Sequence, residues 1–408
     1  MLKSYNFLWY PLILFAIIFL FFKNTHADPT TVSEINQKEE TDSHVSPDKN
    51  TRDDISDSPQ QIINSVNYYA SLVNLDVPIV INNAVEKSIK LFTYAIRDRF
   101  NLWLNRSERY LDLMREIIRD KEIPEDLVYL PLVESGFNPY AYSRAKASGP
   151  WQFIASTAKR YGLKINWWVD ERRDPIKSTE AAALYLKDLY EMFGSWKLAL
   201  AAYNAGERTV MKALTKTKVD DFWKIRETRY IKRETKEYVP RYIAATIIAK
   251  DPQSFGFEVQ PHEPFLFDEV VINTPTDLKV IAKAAGVSVE EIKELNPELK
   301  RWCTPPNHSE YKIRLPFGTK EEFLTNIEQI PENERLSGNF YTVKKGDTLK
   351  KIAKGYGVSY KTIIEANALT KGHILSAGDR IFIPKKGLYA ETDNVKKSKK
   401  KKKRITYS

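Results

Sequence analysis

The chain of 408 residues contains a single cysteine, Cys303, which excludes an internal disulfide and any multi-cysteine metal centre. Its five histidines are scattered without the short spacings that hold a metal. Neither a metal nor another cofactor is expected. A strongly basic body is missing too. The formal charge is +10, but eight of the cations lie in "KKSKKKKKR" (396–404), and without them the balance falls to +2. Nucleic acid is therefore not an expected partner of the body. Acidic residues are absent over one long internal stretch: from Ser135 to Val169 there is no Asp or Glu. The carboxylate just before that gap, Glu134, follows an apolar run in "LPLVESGFNPYAYSRAKASGPWQF" and raises the question of what a lone acid does there.

A chain of this length suggests two to four domains, and its 42% hydrophobic residues are enough for real cores. The apolar run Phe7–Phe22 follows Lys3 and precedes the small residues Thr25 and Ala27, so residues 1–27 read as an export signal or a retained N-terminal anchor. No cysteine follows that run, which excludes lipid attachment at that point. Either outcome places the remainder outside the cytoplasm, in the periplasm or cell envelope. Residues 28–60 are polar and nearly free of aliphatics, a disordered linker. From 61 to 255 the pattern is helical. Asn105 and Glu108 have capping-box spacing before Leu111, Met114, Ile117 and Ile118. "IPEDLVYLPLVES" starts with Pro124 in its first turn and stops at Gly136, with Pro131 inside it as a potential kink. A further helix is expected from Ser178 to Gly194.

Beyond Phe255 an internal repeat takes over. "IAKAAGVSVEEIKELN" (281–296) aligns without gaps to "IAKGYGVSYKTIIEAN" (352–367), with 9 of 16 positions identical. Short β-like runs flank each copy, "EVVI" and "YKIRLP" around the first, "YTV" and "DRIFIP" around the second. The unit is strand–helix–helix–strand, used twice.

If "IPEDLVYLPLVES" is helical, Glu134 lies in its last turn, where the negative end of the dipole and the apolar neighbours both disfavour ionisation. A raised pKa suits a general acid working near neutrality; the bland alternative is a solvent-facing Glu at a helix end. Three further segments bear on the choice. "SGPWQF" places Gln152 between aromatics at a glycine-initiated helix start. "AAYNAGE" presents Tyr203 and Asn204 where a helix ends at Gly206. "TKEYVPRY" offers Tyr238 before Pro240. Each alone is more often structural; the ordered set is specific.

Over about residues 70–250 the chain resembles the lytic transglycosylases of goose-lysozyme-like fold, most closely the membrane-bound murein transglycosylase D type. The family's motifs are matched by Glu134, Ser135, Phe137, Asn138 and Pro139, by Gly149, Trp151, Gln152 and Phe153, and by Ala202 to Gly206; its late tyrosine falls on Tyr238. The second repeat, with "YTVKKGDTLKKIAKGYGVS", Asn367 and "IFIP", resembles a LysM carbohydrate-binding module. The first copy has "TPTDL" in place of the Gly-Asp-Thr turn and inserts "RWCTPPNHSE", so it resembles a divergent LysM.

The resemblance implies a multidomain fold: an all-α lysozyme-like catalytic domain (61–255), a divergent LysM-like module (265–317), a linker (318–338), a LysM module (339–385) and a disordered basic tail (386–408). It implies that Glu134 is the one catalytic acid and base, that Ser135, Gln152, Tyr203, Asn204 and Tyr238 serve substrate binding, and that the partner is the peptidoglycan glycan strand. Trp151, Trp167, Trp168, Trp196 and Trp223 are candidates for sugar stacking, with core packing as the other role. The lysine-rich tail is a candidate for an anionic wall polymer or a membrane surface, or is simply solvated. Two rivals stay open. A hydrolysing muramidase on the same fold requires a second carboxylate, with Asp170 and Asp174 nearest in sequence. A non-catalytic wall-binding protein requires only the LysM modules.

Overall fold

Asn82 begins the first helix among the described residues: its side-chain oxygen accepts the backbone N–H groups of Ala84 and Val85 at 3.0 and 3.2 Å, and α1 (Asn83–Lys90) runs on from it. The computed structural model describes residues 80–385, except 307 and 309, together with Val77 and Gly387. The expected export segment and polar linker lie outside the described residues, as does the basic tail apart from Gly387.

A π-helical turn, Leu91–Ala95, extends α1 before the chain bends at Ile96 into α2 (Arg97–Asp120). This helix starts well before the expected cap. Asn105 is interior to it, donating to the Asn101 carbonyl at 2.9 Å while its oxygen accepts the Gln260 N–H at 2.8 Å. The cap-like spacing therefore serves a tie to the segment that leaves the helical body. "IPEDLVYLPLVES" also differs from expectation. A 3₁₀ turn, Glu125–Tyr129, precedes a separate short helix, α3 (Leu130–Glu134), and Pro131 sits in the first turn of α3, where its missing N–H costs nothing.

The body is completed by α4 (Ala155–Arg160), α5 (Pro175–Phe193), α6 (Trp196–Ala205), α7 (Glu207–Thr217), α8 (Phe222–Arg226) and α9 (Arg233–Lys250). Helix α5 begins three residues ahead of Ser178 because Asp174 caps it, accepting from Ile176 N and Lys177 N. Gly194, at φ 63°, ends it. Helices α5 and α6 approach closely through small side chains: Ala181, Ala182, Ala183, Ala199, Ala201 and Ala202 are all buried. Helix α9 packs on α1, α3 and α6, which places its own side chains beside the end of α3.

The repeat folds twice as the sequence leads one to expect. In the first copy β1 (Phe267–Ile272) precedes α10 (Leu278–Ala284) and α11 (Val289–Leu295), and β2 (Tyr311–Pro316) pairs antiparallel with β1, Val270 opposite Ile313. Residues 318–338, expected as a linker, contain α12 (Lys320–Glu328), which packs on α10 with Phe323 buried. The second copy is β3 (Gly338–Thr342), α13 (Leu349–Gly355), α14 (Tyr360–Ala366) and β4 (Arg380–Pro384), with β3 antiparallel to β4. The asparagine shared by the two copies does the same job in both. Asn296 accepts Arg314 N at 2.9 Å and donates to its carbonyl at 2.7 Å; Asn367 does so with Phe382 at 2.7 and 2.8 Å. Each ties a helix end to the closing strand.

One loop of the helical body holds both copies. Asp170 N donates to the Glu298 carbonyl and Lys300 N to the Trp168 carbonyl, at 2.9 and 2.8 Å. The Trp168 indole N–H reaches the Ala366 carbonyl at 2.8 Å, and its ring lies 5.6 Å from that of Phe382. Nearby, Arg314 of β2 forms a buried ion pair with the Asp174 cap at 2.8 Å. Among the described residues no helix is long and apolar enough to cross a membrane.

Candidate active site

Glu134 is the last residue of α3, and two glycines shape the chain beyond it. Gly136 has φ 59°, and a Cβ there would sit 2.2 Å from the Trp103 ring, so a larger residue is excluded both by conformation and by space. The Gly136 carbonyl is held by Arg106 at 2.9 Å. Gly149, at φ 83°, lets the return strand pass against the Arg172 carbonyl, which a Cβ would approach to 1.7 Å. Arg172 in turn donates to the Phe153 and Lys146 carbonyls. The acid-free stretch thus folds into a tight wall braced from behind by one guanidinium.

That wall, α6 and α9 enclose a cleft of about 520 Å³. Glu134 lies half-buried on its lining, joined there by Gln152, Tyr203, Asn204 and Tyr238. The Tyr238 hydroxyl, buried on α9, donates to Glu134 Oε1. Burial pushes the Glu134 carboxyl up to about 7, against the opposing pull of the Tyr238 hydrogen bond and with a smaller upward push from the charge of Glu234. The Tyr203 hydroxyl donates to the Trp151 carbonyl at 2.8 Å, so it braces the wall. Asn204 Oδ1 accepts from Thr235 at 2.9 Å; its amide nitrogen is left without a bond among the described residues. Gln152 does not open a helix, as α4 starts only at Ala155. It occupies a turn at φ 48° and donates to the Gly149 carbonyl at 2.8 Å.

Ser135 is not brought to the cleft. Its hydroxyl donates to the Pro150 carbonyl at 2.8 Å and accepts Asn138 N at 3.2 Å, stitching the two ends of the wall. None of the five tryptophans lines the cleft. Trp151 is fully buried, with its N–H on Thr179 Oγ1 at 2.8 Å. Trp167 and Trp168 pack at the junction with the repeats, Trp196 stacks on Tyr190 at 4.2 Å, and Trp223 lies edge-on to Phe222. Asp170 and Asp174 are remote in role as well: the first is buried against Arg172 at 2.7 Å, and the second caps α5 and pairs with Arg314.

The cleft also contains groups the sequence pattern missed. Tyr185 of α5, Glu207 at the start of α7, and Glu234 and Arg241 of α9 line it. Positions 234, 238 and 241 share a helix face, so the periodicity around Tyr238 contained the signal. Glu207 is held below the ordinary carboxylate range by its own backbone N–H, and Arg160 lies 3.4 Å away. Glu134 and Glu207 are thus shifted in opposite directions, the first toward its protonated and the second toward its ionised form.

Residues 112–226 match the Transglycosylase SLT domain, 266–332 the LysM-like domain of lytic transglycosylase MltD, and 341–384 the LysM domain. The chain is 34% identical over 293 residues to the membrane-bound lytic murein transglycosylase D of Escherichia coli K12, covering 68% of this chain and 64% of that protein. It is 29% identical over 124 residues to the membrane-bound lytic murein transglycosylase C of Pectobacterium atrosepticum, covering 27% and 35% of the two. Among solved structures it is similar to the 70 kDa soluble lytic transglycosylase of Escherichia coli, at 21% identity and TM-score 0.32 over 52% of this chain and 34% of that one. It is likewise similar to the Slt inactive mutant E503Q of Pseudomonas aeruginosa, at 23% and 0.30 over 36% and 24%. The chain therefore carries a transglycosylase SLT domain followed by an MltD-type LysM-like domain and a LysM domain, and the helical body that holds Glu134 is the first of these.

Proposed function

We propose that the chain is a peptidoglycan lytic transglycosylase of the cell envelope, cleaving the β-1,4 bond from N-acetylmuramic acid to N-acetylglucosamine with Glu134 as its acid and then its base. The observation that carries the reading is a cleft carboxyl raised to about 7, able to hold a proton near neutrality and to take one back. In the first step the protonated Glu134 gives its proton to the glycosidic oxygen. The C1–O bond breaks, and positive charge develops at C1. In the second, the C6 hydroxyl of the same muramyl ring bonds to C1, and its proton returns to the Glu134 carboxylate. The enzyme is restored and the new end is a 1,6-anhydromuramyl residue. Intramolecular closure has a large entropic advantage over attack by water. Tyr238 positions the carboxylate through its hydroxyl, and Asn204, anchored by Thr235, offers an amide N–H toward the sugar's acetamido group. The LysM domain is proposed to hold the enzyme on its insoluble glycan and raise its local concentration.

A hydrolase on the same site has the further cleft carboxylates, Glu207 and Glu234, in its favour. Mass spectrometry of the released fragments, before and after borohydride, separates the two. Products one water lighter and without a reducible end are expected from the transglycosylase. Predominantly reducible ends would reject it and shift attention to Glu207 and Glu234, of which Glu207→Gln or Glu234→Gln would then lose activity.

A further inference from the structure

Beside the cleft, on an adjacent face of α9, lies a second concavity of about 440 Å³ formed by α1, the π-helical turn, α8 and α9. Its charge is one-sided. Lys87, Lys90, Arg226, Arg233 and Arg241 line it against a single lining acid, Glu237. Glu237 is fully engaged, by Arg233 at 2.9 Å and Arg241 at 2.6 Å. Lys87 is exposed and Lys90 half-buried; neither makes a close ion pair among the described residues, although the charge of Lys87 acts weakly on Glu237.

The walls are fixed by backbone irregularities. Pro240 lies inside α9 and has no N–H, so the Lys236 carbonyl loses its helical donor; Arg226 Nε supplies the replacement at 2.9 Å. The π-helical turn forms the facing wall through Leu91 and Ala95, a backbone form found often at functional sites. Helix α9 thus presents two adjacent faces. Glu234, Tyr238 and Arg241 line the cleft, while Arg233, Glu237, Pro240 and Arg241 line the groove. Arg241 belongs to both.

We propose that this groove binds the carboxylates of a short acidic peptide, and that it takes the peptide borne by the muramyl residue when the glycan lies in the cleft. The identity of the peptide rests on the function proposed above; the site itself does not. Three features select this ligand. The two lysines, neither in a close ion pair, favour carboxylates. The apolar strip of Ala84, Leu91 and Pro240 suits short aliphatic side chains. Arg241 lines both hollows, so the two adjoin on one helix. Preference for peptide-bearing over bare strands would then be set by α1 and α9, away from the reacting bond.

The test uses the full chain and the double variant Lys87→Glu/Lys90→Glu, which touches nothing in the cleft. Turnover is measured on glycan strands bearing their peptides and on the same strands stripped by an amidase. Calorimetry follows binding of the free peptides released by that amidase. The wild type should favour peptide-bearing strands by about tenfold in kcat/KM, a modest contribution for two screened charges. The variant should lose that preference, keep its rate on stripped strands, and bind the free peptides more weakly, with the difference shrinking in high salt. An unchanged preference in the variant, or no peptide binding by the wild type, overturns the proposal. So does lysine-dependent binding to anionic lipid vesicles in place of peptide. If the wild type cleaves neither strand, the proposed function fails, and calorimetry alone decides the groove.

Discussion

Replacing Glu134 by glutamine should stabilise the protein, and by an amount that grows with pH. The carboxyl is raised from its ordinary 4.5 to about 7 by burial in the cleft, so the fold favours the neutral form. For an acid shifted upward, the penalty is absent below the unfolded value, develops between 4.5 and about 7, and is complete above that. A shift of this size corresponds to a penalty of about 1 kcal/mol at pH 5 and about 3 kcal/mol at pH 8, as upper bounds for a half-buried group. Glutamine never ionises, and its amide oxygen still accepts from the Tyr238 hydroxyl. The variant therefore escapes the penalty at both pH values while keeping the local geometry.

Urea unfolding of the wild type and Glu134→Gln at pH 5 and pH 8, followed through the helical signal, measures the difference directly. The expected outcome is a small gain for the variant at pH 5 and one larger by about 2 kcal/mol at pH 8. Equal gains at the two pH values would show that the carboxyl is not raised. A loss at pH 8 would show that the ionised form is the one the fold stabilises, and the acid-then-base reading would lose its basis. A site that costs stability when idle is the expected companion of a catalytic carboxyl.

On glycan, Glu134→Gln should reduce kcat by ~10²–10⁴-fold or more, because one group serves as acid and base; a folded variant of near-normal activity would remove Glu134 from the mechanism. Tyr238→Phe deletes the hydrogen bond that pulls the Glu134 pKa down, so the alkaline limb of the pH–rate profile should move to higher pH, and an unmoved limb would refute the coupling. Thr235→Val frees Asn204 Oδ1 from its anchor; steady-state kinetics should show reduced activity at a stability cost of about 1 kcal/mol, and unchanged turnover would deny Asn204 its placed role. Arg314→Met leaves the Asp174 charge buried and unpaired, which should destabilise by about 3–5 kcal/mol in denaturant unfolding, whereas a cost under about 1 kcal/mol would mean that water reaches the site.

Local chemistry carried most of the fold. Gly194 and Gly206 ended helices where their conformational freedom put them, and the repeated Asn296 and Asn367 marked one motif used twice. The features hidden from the sequence depended on contacts distant in the chain. The capping-box spacing at Asn105 was a valid local pattern overridden by a helix already running from Arg97, because packing of Phe100 and Leu104 into the core outweighs a cap. Residues 320–328 carry Phe323 and Ile327 at helical spacing, a signal missed in a segment expected as a linker, and their helix rests on α10 through Phe323. The tryptophans left sugar stacking and core packing both open, because side-chain type says nothing of orientation. All five pack against the core or the junction between domains.

The gap in acidic residues was a correct observation with an incomplete meaning. Counting along the chain, no acid stands between Ser135 and Val169, and the acids just beyond, Asp170, Glu171 and Asp174, are held in structural ion pairs. The cleft, however, collects its charges across space. Glu207 arrives because α6 ends at Gly206 and α7 begins at once, and Glu234 arrives one turn before Tyr238 on α9. Neither is a partner of Glu134 in hydrogen bonding, and only Glu234 acts on its charge. Glu207 is kept anionic by its own backbone and lies near Arg160, whereas the charge of Glu234 adds to the burial that keeps Glu134 protonated. The lone acid before the gap is thus made an acid by two things the local sequence could not show: the wall that buries it and a carboxylate 100 residues downstream.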